Sequence, residues 1–128
     1  MNVSKWIKDI IASDKSLSMP IMTHPGIELL GKKVLDAVID GEVHFQAIRA
    51  LNERFPKAMA CTAIMDLTVE AEAFGAQLCM SEHEVPMVTG RLLTSFEDVD
   101  ALQIPSLDNA RVPQYLKANA LAAAGINK

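Results

Sequence analysis

The stretch from Ala58 to Gly75, AMACTAIMDLTVEAEAFG, constrains the fold of this chain most strongly. An uncharged run ends at Met65, a lone carboxylate follows at Asp66, and a helical segment begins two residues later and ends at Gly75. This order is typical of a strand, a loop and a crossover helix in an α/β protein. We therefore predict a strand over residues 58–65 and an α/β fold organised around it.

Side chains should alternate between the two faces of this strand. Thr62, Ile64 and Asp66 would share one face, and the odd-numbered residues from Met59 to Met65 would share the other. Neither face is polar along its length, as expected for a parallel strand that is covered on both sides. Asp66 would then lie at the carboxyl end of the strand, on the same face as Thr62.

Helical spacing of apolar residues predicts three helices before the strand. The first covers residues 3 to about 12, and the second is marked by apolar residues at positions 27, 30, 34 and 38. The third follows a break at Asp40 and Gly41 and stops before Pro56. The chain is therefore expected to be helical up to the strand.

Short elements are predicted directly after the strand. Thr68 is the expected N-cap of the next helix, and Gly75 suits the C′ position of that helix. Two brief strand candidates follow, one over residues 77–80 and one within the sequence VTGRLL.

The last part of the chain predicts two more helices. Ser95 and Asp98 resemble a capping box that opens a helix through Leu102. The final helix is expected from about residue 110 to 124, with Pro113 in its first turn and Gly125 as its stop. In this βα order another strand would be due after the final helix.

Composition bounds the class of protein. The chain has 128 residues, which suits one domain. Half of these residues are apolar, so we expect apolar surface of the chain to pack against another structure. Its net charge of −4 and scattered basic residues argue against nucleic-acid binding. No apolar run approaches the roughly 20 residues that span a bilayer, and the N-terminus lacks the apolar region of a signal peptide. We therefore predict a cytoplasmic protein with no membrane partner.

Four stretches in a fixed order carry a family resemblance: MTHPG, MDLTVEAEAFG, EVPMVTGRL and LQIP. They resemble the N-terminal third of the uroporphyrinogen decarboxylase-like superfamily, with the closest likeness to the methylcobamide:coenzyme M methyltransferases. Members of that family are (β/α)₈ TIM barrels, which typically need about 250 residues. The resemblance thus implies that residues 1–128 form a single partial domain, the N-terminal third to half of such a barrel with leading helices.

The resemblance also implies where the chemistry lies. In the methyltransferases, zinc bound by a His-x-Cys pair and a later Cys activates the thiol of coenzyme M, which takes a methyl group from a corrinoid. No His-x-Cys occurs here, so we expect no cofactor in this chain and zinc in the missing C-terminal part. Cys61 and Cys79 form no metal or redox motif and are predicted to be reduced core residues.

Uroporphyrinogen decarboxylase itself offers a second comparison. It has an arginine-rich motif before its first strand that holds substrate carboxylates, whereas the sequence here is PIMTHPGIELLG, without arginine. Its strand-end aspartate, which meets pyrrole nitrogens, is matched by Asp66. The resemblance therefore favours the methyltransferase branch and keeps Asp66 as a candidate catalytic residue.

Each candidate carboxylate has an alternative interpretation. Asp66 is predicted to be catalytic, because strand ends form active sites in α/β proteins and the resemblance points to it, and the alternative is that it only caps the following helix. Glu70 and Glu72 point about 200° apart on a helix, so they do not form an acid/base pair. Glu70 and Thr62 are predicted to bind substrate, and the other glutamate is expected at the surface or in a buried pair.

The three histidines are weighed in the same way. His24, in the loop before a helix, could bind an anionic substrate group or act as an acid, or could be a loop histidine bonded to the backbone. His44 is expected at the surface and His83 in a solvated loop. None of them suggests a metal site.

The sequence therefore predicts part of a cobamide-dependent methyltransferase that moves a methyl group from a methylated corrinoid protein to a thiol, with the fragment itself inactive. A decarboxylase of porphyrinogens and a small non-catalytic binding or structural protein are the alternatives. An incomplete barrel exposes a strand edge and apolar faces, so the expected partner is a second copy or the missing barrel half.

Overall fold

The computed structural model describes residues 2–14, 16–58 and 60–126. The elements in that part of the chain are α1 (Val3–Ile11), α2 (His24–Leu29), α3 (Val34–Ile39), α4 (Gly41–Arg54), α5 (Thr68–Ala73), β1 (Gln77–Cys79), β2 (Met87–Thr89), α6 (Phe96–Asp100) and α7 (Val112–Gly125). Helices predominate, and the predicted mixture of helix and strand is confirmed.

The predicted second helix is in fact two helices, α2 and α3. Gly31 adopts a φ of 63° just after α2, a left-handed conformation that ends helices. The Asp36 carboxylate then accepts a hydrogen bond of 2.9 Å from the backbone N–H of Lys33 and so caps the start of α3. The apolar spacing runs on through this break, which is why the sequence predicted one helix.

The core lies where α4 packs against α2, α3 and α7. Buried residues there are Ile27, Val34, Ala37, Val38, Ala47 and Ile64. Two crossings depend on glycine, because a Cβ on Gly26 would collide with the carbonyl oxygen of Ala47, and one on Gly41 with the carbonyl oxygen of Gln114. These close approaches bring α2 and α7 tightly onto α4.

The predicted strand over residues 58–65 does not form as a strand. In the described residues 60–66 no backbone–backbone hydrogen bond joins this segment to another. Side chains take that place: Thr23 Oγ1 donates to the carbonyl of Thr62 at 2.9 Å, and Ile64 N–H donates to His44 Nε2 at 2.9 Å. A strand needs a neighbouring strand as its ladder partner, and the described part of the chain offers none here.

The predicted alternation of side chains is nevertheless present at residues 64–67. Ile64 and Asp66 are buried, at 5% and 7% exposed, whereas Met65 and Leu67 are 64% and 80% exposed. This is the pattern of an extended chain with one covered face. The prediction that both faces would be covered is therefore wrong, and Met59, assigned to the second face, lies outside the described residues.

A β-hairpin separates α5 from α6. β1 and β2 pair antiparallel, with Leu78 opposite Val88. Both predicted short strands are thus present, but they pair with each other and do not extend a parallel sheet. Gly75, with a φ of 100°, follows α5 as predicted, whereas the expected Thr68 cap is replaced by the side chain of Asp66.

The C-terminal helices largely follow their sequence signals. Ser95 Oγ accepts from Asp98 N–H at 3.3 Å, which confirms the capping box of α6, although that helix ends at Asp100. The sequence predicted that the last helix ends at about residue 124 and that Gly125 stops it. In the structure Gly125 is itself the last residue of α7. None of the helices within the described ranges is long and apolar enough to cross a membrane.

Candidate functional site

Asp66 is the centre of a buried polar network. Its Oδ1 accepts two hydrogen bonds from Thr68, one from the backbone N–H at 2.9 Å and one from the hydroxyl at 2.6 Å. Its Oδ2 accepts from Arg111 Nη1 at 2.6 Å and from the Tyr115 hydroxyl at 2.8 Å. A carboxylate offers about four acceptor positions, so this network fills them all.

Arg111 connects the end of the extended segment to α7. Besides its ion pair with Asp66, it donates from Nε to Glu72 at 2.6 Å and from Nη2 to the Thr68 hydroxyl at 2.9 Å. The Arg111 side chain is only 8% exposed and that of Asp66 is fully buried, while Glu72 is 27% exposed. One guanidinium thus joins two carboxylates and a hydroxyl, a use that suits its fixed fork of donors.

The charges of this network are set by opposing effects. Burial alone would raise the pKa of Asp66, but hydrogen bonds from Thr68, Arg111 and Tyr115 outweigh it and hold that pKa below the ordinary value. Burial and the bond to Asp66 raise the pKa of Tyr115, so its hydroxyl remains a donor. Asp66 is therefore a carboxylate at neutral pH.

His44 supports the same segment from α4. It is 0% exposed, so the prediction that it lies at the surface is wrong. Its Nε2 accepts from Ile64 N–H, and its ring meets that of Tyr115 edge-on at 5.1 Å between centroids. Burial lowers the pKa of His44 to about 4, against an opposing effect of Asp66, so the imidazole is neutral and can act as an acceptor. His44 lies one residue before Phe45, where the apolar stripe predicted for this helix begins, so the stripe did not indicate that position 44 is buried.

An open groove lies next to the network, between residues 63–67, the loop at residues 104–107 and α7. We call it the α7 groove; its volume is about 540 Å³. Large apolar side chains dominate its wall: Met65, Leu67, Phe74, Ile104, Leu107 and Leu116. Several are unusually open to solvent, with Ile104 at 93% and Leu107 at 68% exposed.

The structure brings only some of the predicted site residues together. Asp66 and Glu70 both line the α7 groove, and Glu70 is exposed there without a described partner. Thr62 accepts from the backbone N–H of Met22 at 3.2 Å and so ties the segment to the start of α2. His24 is exposed in the first turn of α2, and none of the described hydrogen bonds or ion pairs joins it to Asp66. The predicted roles of all four residues stay predictions.

Glu72 and Arg111 show what sequence reasoning missed. The predicted separation of the two glutamates is confirmed, because Glu72 bonds Arg111 while Glu70 faces the groove. The sequence analysis did not identify Arg111 as a site residue, yet its position at the start of a helix indicates that a carboxylate lies nearby. An arginine at the start of a helix is unfavourable to the helix dipole unless a carboxylate lies nearby, and here two do.

The resemblance implies a zinc site in the missing C-terminal part and none among the residues of this chain. Within the described ranges no group of three or more histidine, cysteine or acidic side chains could hold a metal ion. Cys61 is partly buried near Asn52, but Cys79 is exposed, so its prediction as a core residue is wrong. Cys79 is the last residue of β1 in the short hairpin, and its side chain is exposed there. His83 is largely exposed, as expected of a solvated loop.

Comparisons with known proteins bear on the fold and the family of the chain. A solved methyltransferase from Methanosarcina mazei superposes with a TM-score of 0.75 and 21% sequence identity. The match covers 91% of this chain but only 35% of the methyltransferase. A family model described as "Uroporphyrinogen decarboxylase (URO-D)" matches residues 21–128. No curated protein sequence matches.

The helices, the extended segment ending at Asp66 and the packing of α7 form a mixed helix and strand fold that is similar to one part of the solved methyltransferase. The family match extends over most of the chain. The chain belongs to the uroporphyrinogen decarboxylase family.

Proposed function

We propose that this chain is the N-terminal part of a (β/α)₈ barrel methyltransferase, which moves a methyl group from a methylated corrinoid protein to a thiol such as coenzyme M. The solved protein with this fold is a methyltransferase, and the chain covers 35% of it. The proposal therefore concerns the protein that a complete barrel would form, in which residues 1–128 are one partial domain.

The observation that favours a methyltransferase over a decarboxylase within the family is that all hydrogen-bond acceptor positions of Asp66 are occupied. A decarboxylase of porphyrinogens would use a strand-end aspartate to accept hydrogen bonds from pyrrole nitrogens, but all four acceptor positions of Asp66 are used inside the chain. Residues 20–31 contain no arginine. Arg111, which lies beside Asp66, is paired with Asp66 and Glu72. Methyl transfer to a thiol needs neither a free aspartate that accepts from pyrrole nitrogens nor arginines that bind several substrate carboxylates.

In this proposal the residues of the chain position and shield the reaction. Asp66, held by Arg111 and Tyr115, fixes where the extended segment ends, as preorganised sites require. Glu70 and His24 are the exposed candidates for substrate contact. Zinc, which would activate the thiol when bound, is assigned to the remaining part of the barrel, because the described residues do not fit it.

The test uses the protein purified from its own cells together with whatever polypeptide completes the barrel. Methylcobalamin and 2-mercaptoethanesulfonate are supplied, and loss of methylcobalamin absorbance is followed with formation of the thioether. We expect thiol-dependent demethylation that stops when the thiol is left out. A parallel assay measures release of CO₂ from uroporphyrinogen.

Decarboxylation of uroporphyrinogen without any need for thiol or corrinoid would refute the proposal in favour of the other family activity. A Glu70→Gln variant serves as an internal probe, because it keeps the size of an exposed side chain that faces the α7 groove. If Glu70 contacts substrate, the variant should raise KM with little change in the unfolding midpoint.

A further inference from the structure

The charge that the α7 groove presents to a ligand is negative. The charged side chains that line it are Asp66 and Glu70, and none of its described lining residues is a lysine, an arginine or a histidine. Asp66 is buried and bonded within the chain, whereas Glu70 is exposed and its carboxylate has no partner among the described residues. Because a glutamate side chain is anionic at pH 7, the groove should attract a cation and repel an anion.

Glu70 lies close to the end of the extended segment. That segment stops at Asp66, which Arg111 holds against the start of α7, and α5 with Glu70 begins directly afterwards. Leu67, 80% exposed, lines the same groove just beyond Asp66. Barrels of this fold class bind their substrates at the carboxyl ends of strands. Glu70 is therefore on the side of the groove where a substrate is expected.

Phe74 adds an aromatic surface to the carboxylate of Glu70. The backbone N–H of Phe74 donates to the carbonyl of Glu70 at 3.1 Å, so the two residues are one helical turn apart on the same face of α5. Both line the α7 groove, and Phe74 is 40% exposed. The cation–π contacts found among the described residues involve Phe55 and Tyr115, not Phe74. A carboxylate beside an aromatic ring in an apolar groove is the chemistry that binds alkylammonium ions.

We propose that a small alkylammonium group binds in the α7 groove, with its charge at Glu70 and its carbon atoms against Phe74. This inference rests on the proposed function, within which the thiol that accepts the methyl group is an aminothiol and not a sulfonate. The ammonium group only binds. The sulfur forms the new bond to the methyl group and releases its proton, and the electron pair of the broken bond stays with the methyl donor.

A sulfonate and an uncharged thiol match the groove less well. A sulfonate needs cationic or N–H donors, but His24, the candidate for an anionic group, is not among the residues that line the groove. An uncharged thiol would use the apolar wall and leave Glu70 without a counter-ion. The ammonium ligand should bind about fivefold to tenfold more tightly than an uncharged ligand of equal length, through an exposed ion pair and a cation–π contact.

Three thioethers with a common methylthioethyl chain test the sign of the charge. They are 2-(methylthio)ethylammonium, 2-(methylthio)ethanol and 2-(methylthio)ethanesulfonate. Saturation-transfer NMR on the S-methyl signal measures the Kd of each for the protein used in the activity test. We expect the ammonium compound to bind most tightly and the sulfonate most weakly. Any contact of the sulfur with another part of the protein is common to all three compounds and leaves this order unchanged.

Three variants locate the binding site. Glu70→Gln keeps the size of the side chain and should reduce the Kd difference between the ammonium compound and the alcohol to less than about twofold. Phe74→Leu keeps an apolar side chain and should weaken the ammonium compound by about threefold while leaving the alcohol unchanged. Glu28→Gln is the matched control, because it removes an exposed carboxylate that does not line the groove. It should not change the order, and thermal unfolding checks that all three variants are folded.

The inference makes three exclusions. Equal binding of the three compounds, or tightest binding of the sulfonate, would overturn it. A preference for the ammonium compound that persists in Glu70→Gln would also overturn it, because the charge would then be recognised elsewhere. A preference that Glu28→Gln reduces as much as Glu70→Gln would assign the effect to the net charge of the protein and not to the groove.

Kinetics separate this inference from the proposed function. With methylcobalamin as donor, the KM should be lower for 2-aminoethanethiol than for 2-mercaptoethanesulfonate, and Glu70→Gln should raise the KM of the aminothiol only. Methyl transfer with the lower KM for the sulfonate would overturn the inference and leave the proposed function standing. The expected binding order in a protein that decarboxylates uroporphyrinogen would refute the proposed function and leave the alkylammonium site standing.

Discussion

Replacing Arg111 by methionine should destabilise the protein by about 3 kcal/mol at pH 7. The substitution keeps the length of the side chain and removes the cation that pairs with Asp66 and Glu72. Breaking a buried ion pair by removing one partner typically costs about 3–5 kcal/mol, because a charge is left buried without compensation.

The structure places Arg111→Met at the lower end of that range. Asp66 would keep its hydrogen bonds from Tyr115 and Thr68, and Glu72 is exposed enough to reach water. The loss should also depend on pH. Without Arg111 one of the hydrogen bonds that hold the pKa of Asp66 below its ordinary value is lost, so that pKa is depressed less in the variant than in the wild type. The folded wild type therefore loses more stability than the variant when Asp66 is protonated, and the difference between the two proteins should shrink as the pH falls through the ordinary pKa of Asp66 and below it.

Urea unfolding followed by circular dichroism at several pH values measures both effects. Arg49→Met is the matched control, because Arg49 pairs with Glu53 at 2.8 Å on an exposed helix face. That pair should contribute only about 0.3–0.5 kcal/mol. An Arg111→Met loss no larger than that of Arg49→Met, or one that does not change with pH, would refute the reasoning from the buried network.

Three further perturbations probe the same structure. The wild type should lose about 2 kcal/mol of unfolding free energy between pH 7 and pH 5. In this range the unfolded state protonates His44 near its ordinary pKa, whereas the folded state resists protonation until about pH 4. The variant His44→Gln keeps the acceptor, so it should flatten this dependence on pH in urea titrations. Tyr115→Phe should cost about 2 kcal/mol in the same assay, because it removes a donor to a buried carboxylate. Gly26→Ala should lower the free energy of unfolding by about 3 kcal/mol in thermal unfolding, because the added methyl group meets the backbone of α4. At Gly31 an added methyl group has open space, so Gly31→Ala should cost only about 1 kcal/mol, for its left-handed backbone.

Each of these has a contradicting result. A pH slope that survives His44→Gln would assign the acid sensitivity to other groups. A Tyr115→Phe variant as stable as the wild type would mean that Arg111 and Thr68 suffice for Asp66. Equal losses for Gly26→Ala and Gly31→Ala would show that α2 can move away from α4 at no cost.

Local signals in the sequence were sufficient for much of the fold. The capping box of Ser95 and Asp98, the glycine after α5 and the separation of Glu70 from Glu72 all depend on residues a few positions apart. Short-range geometry determines such features, so they are predictable without knowing what packs against them.

Features that depend on distant partners were not predictable in the same way. The segment 60–66 has the composition of a strand, but a strand forms only with a neighbour, and the described chain brings His44 and Thr23 to it instead. The site was predicted in part: Asp66 was identified, while Arg111 lies 45 positions away and was not. Nothing in the helical spacing around His44 shows that its ring faces a buried N–H.

The Asp66 network has a consequence for synthesis on the ribosome. All of its members, from His44 to Tyr115, belong to one continuous part of the chain. A nascent chain therefore carries every member of the network once Tyr115 has left the exit tunnel, and translation at about 5–20 residues per second allows time for α7 to dock during synthesis. The network should thus form while the chain is still attached to the ribosome, and a ribosome-bound nascent chain should already show a protected Ile64 amide.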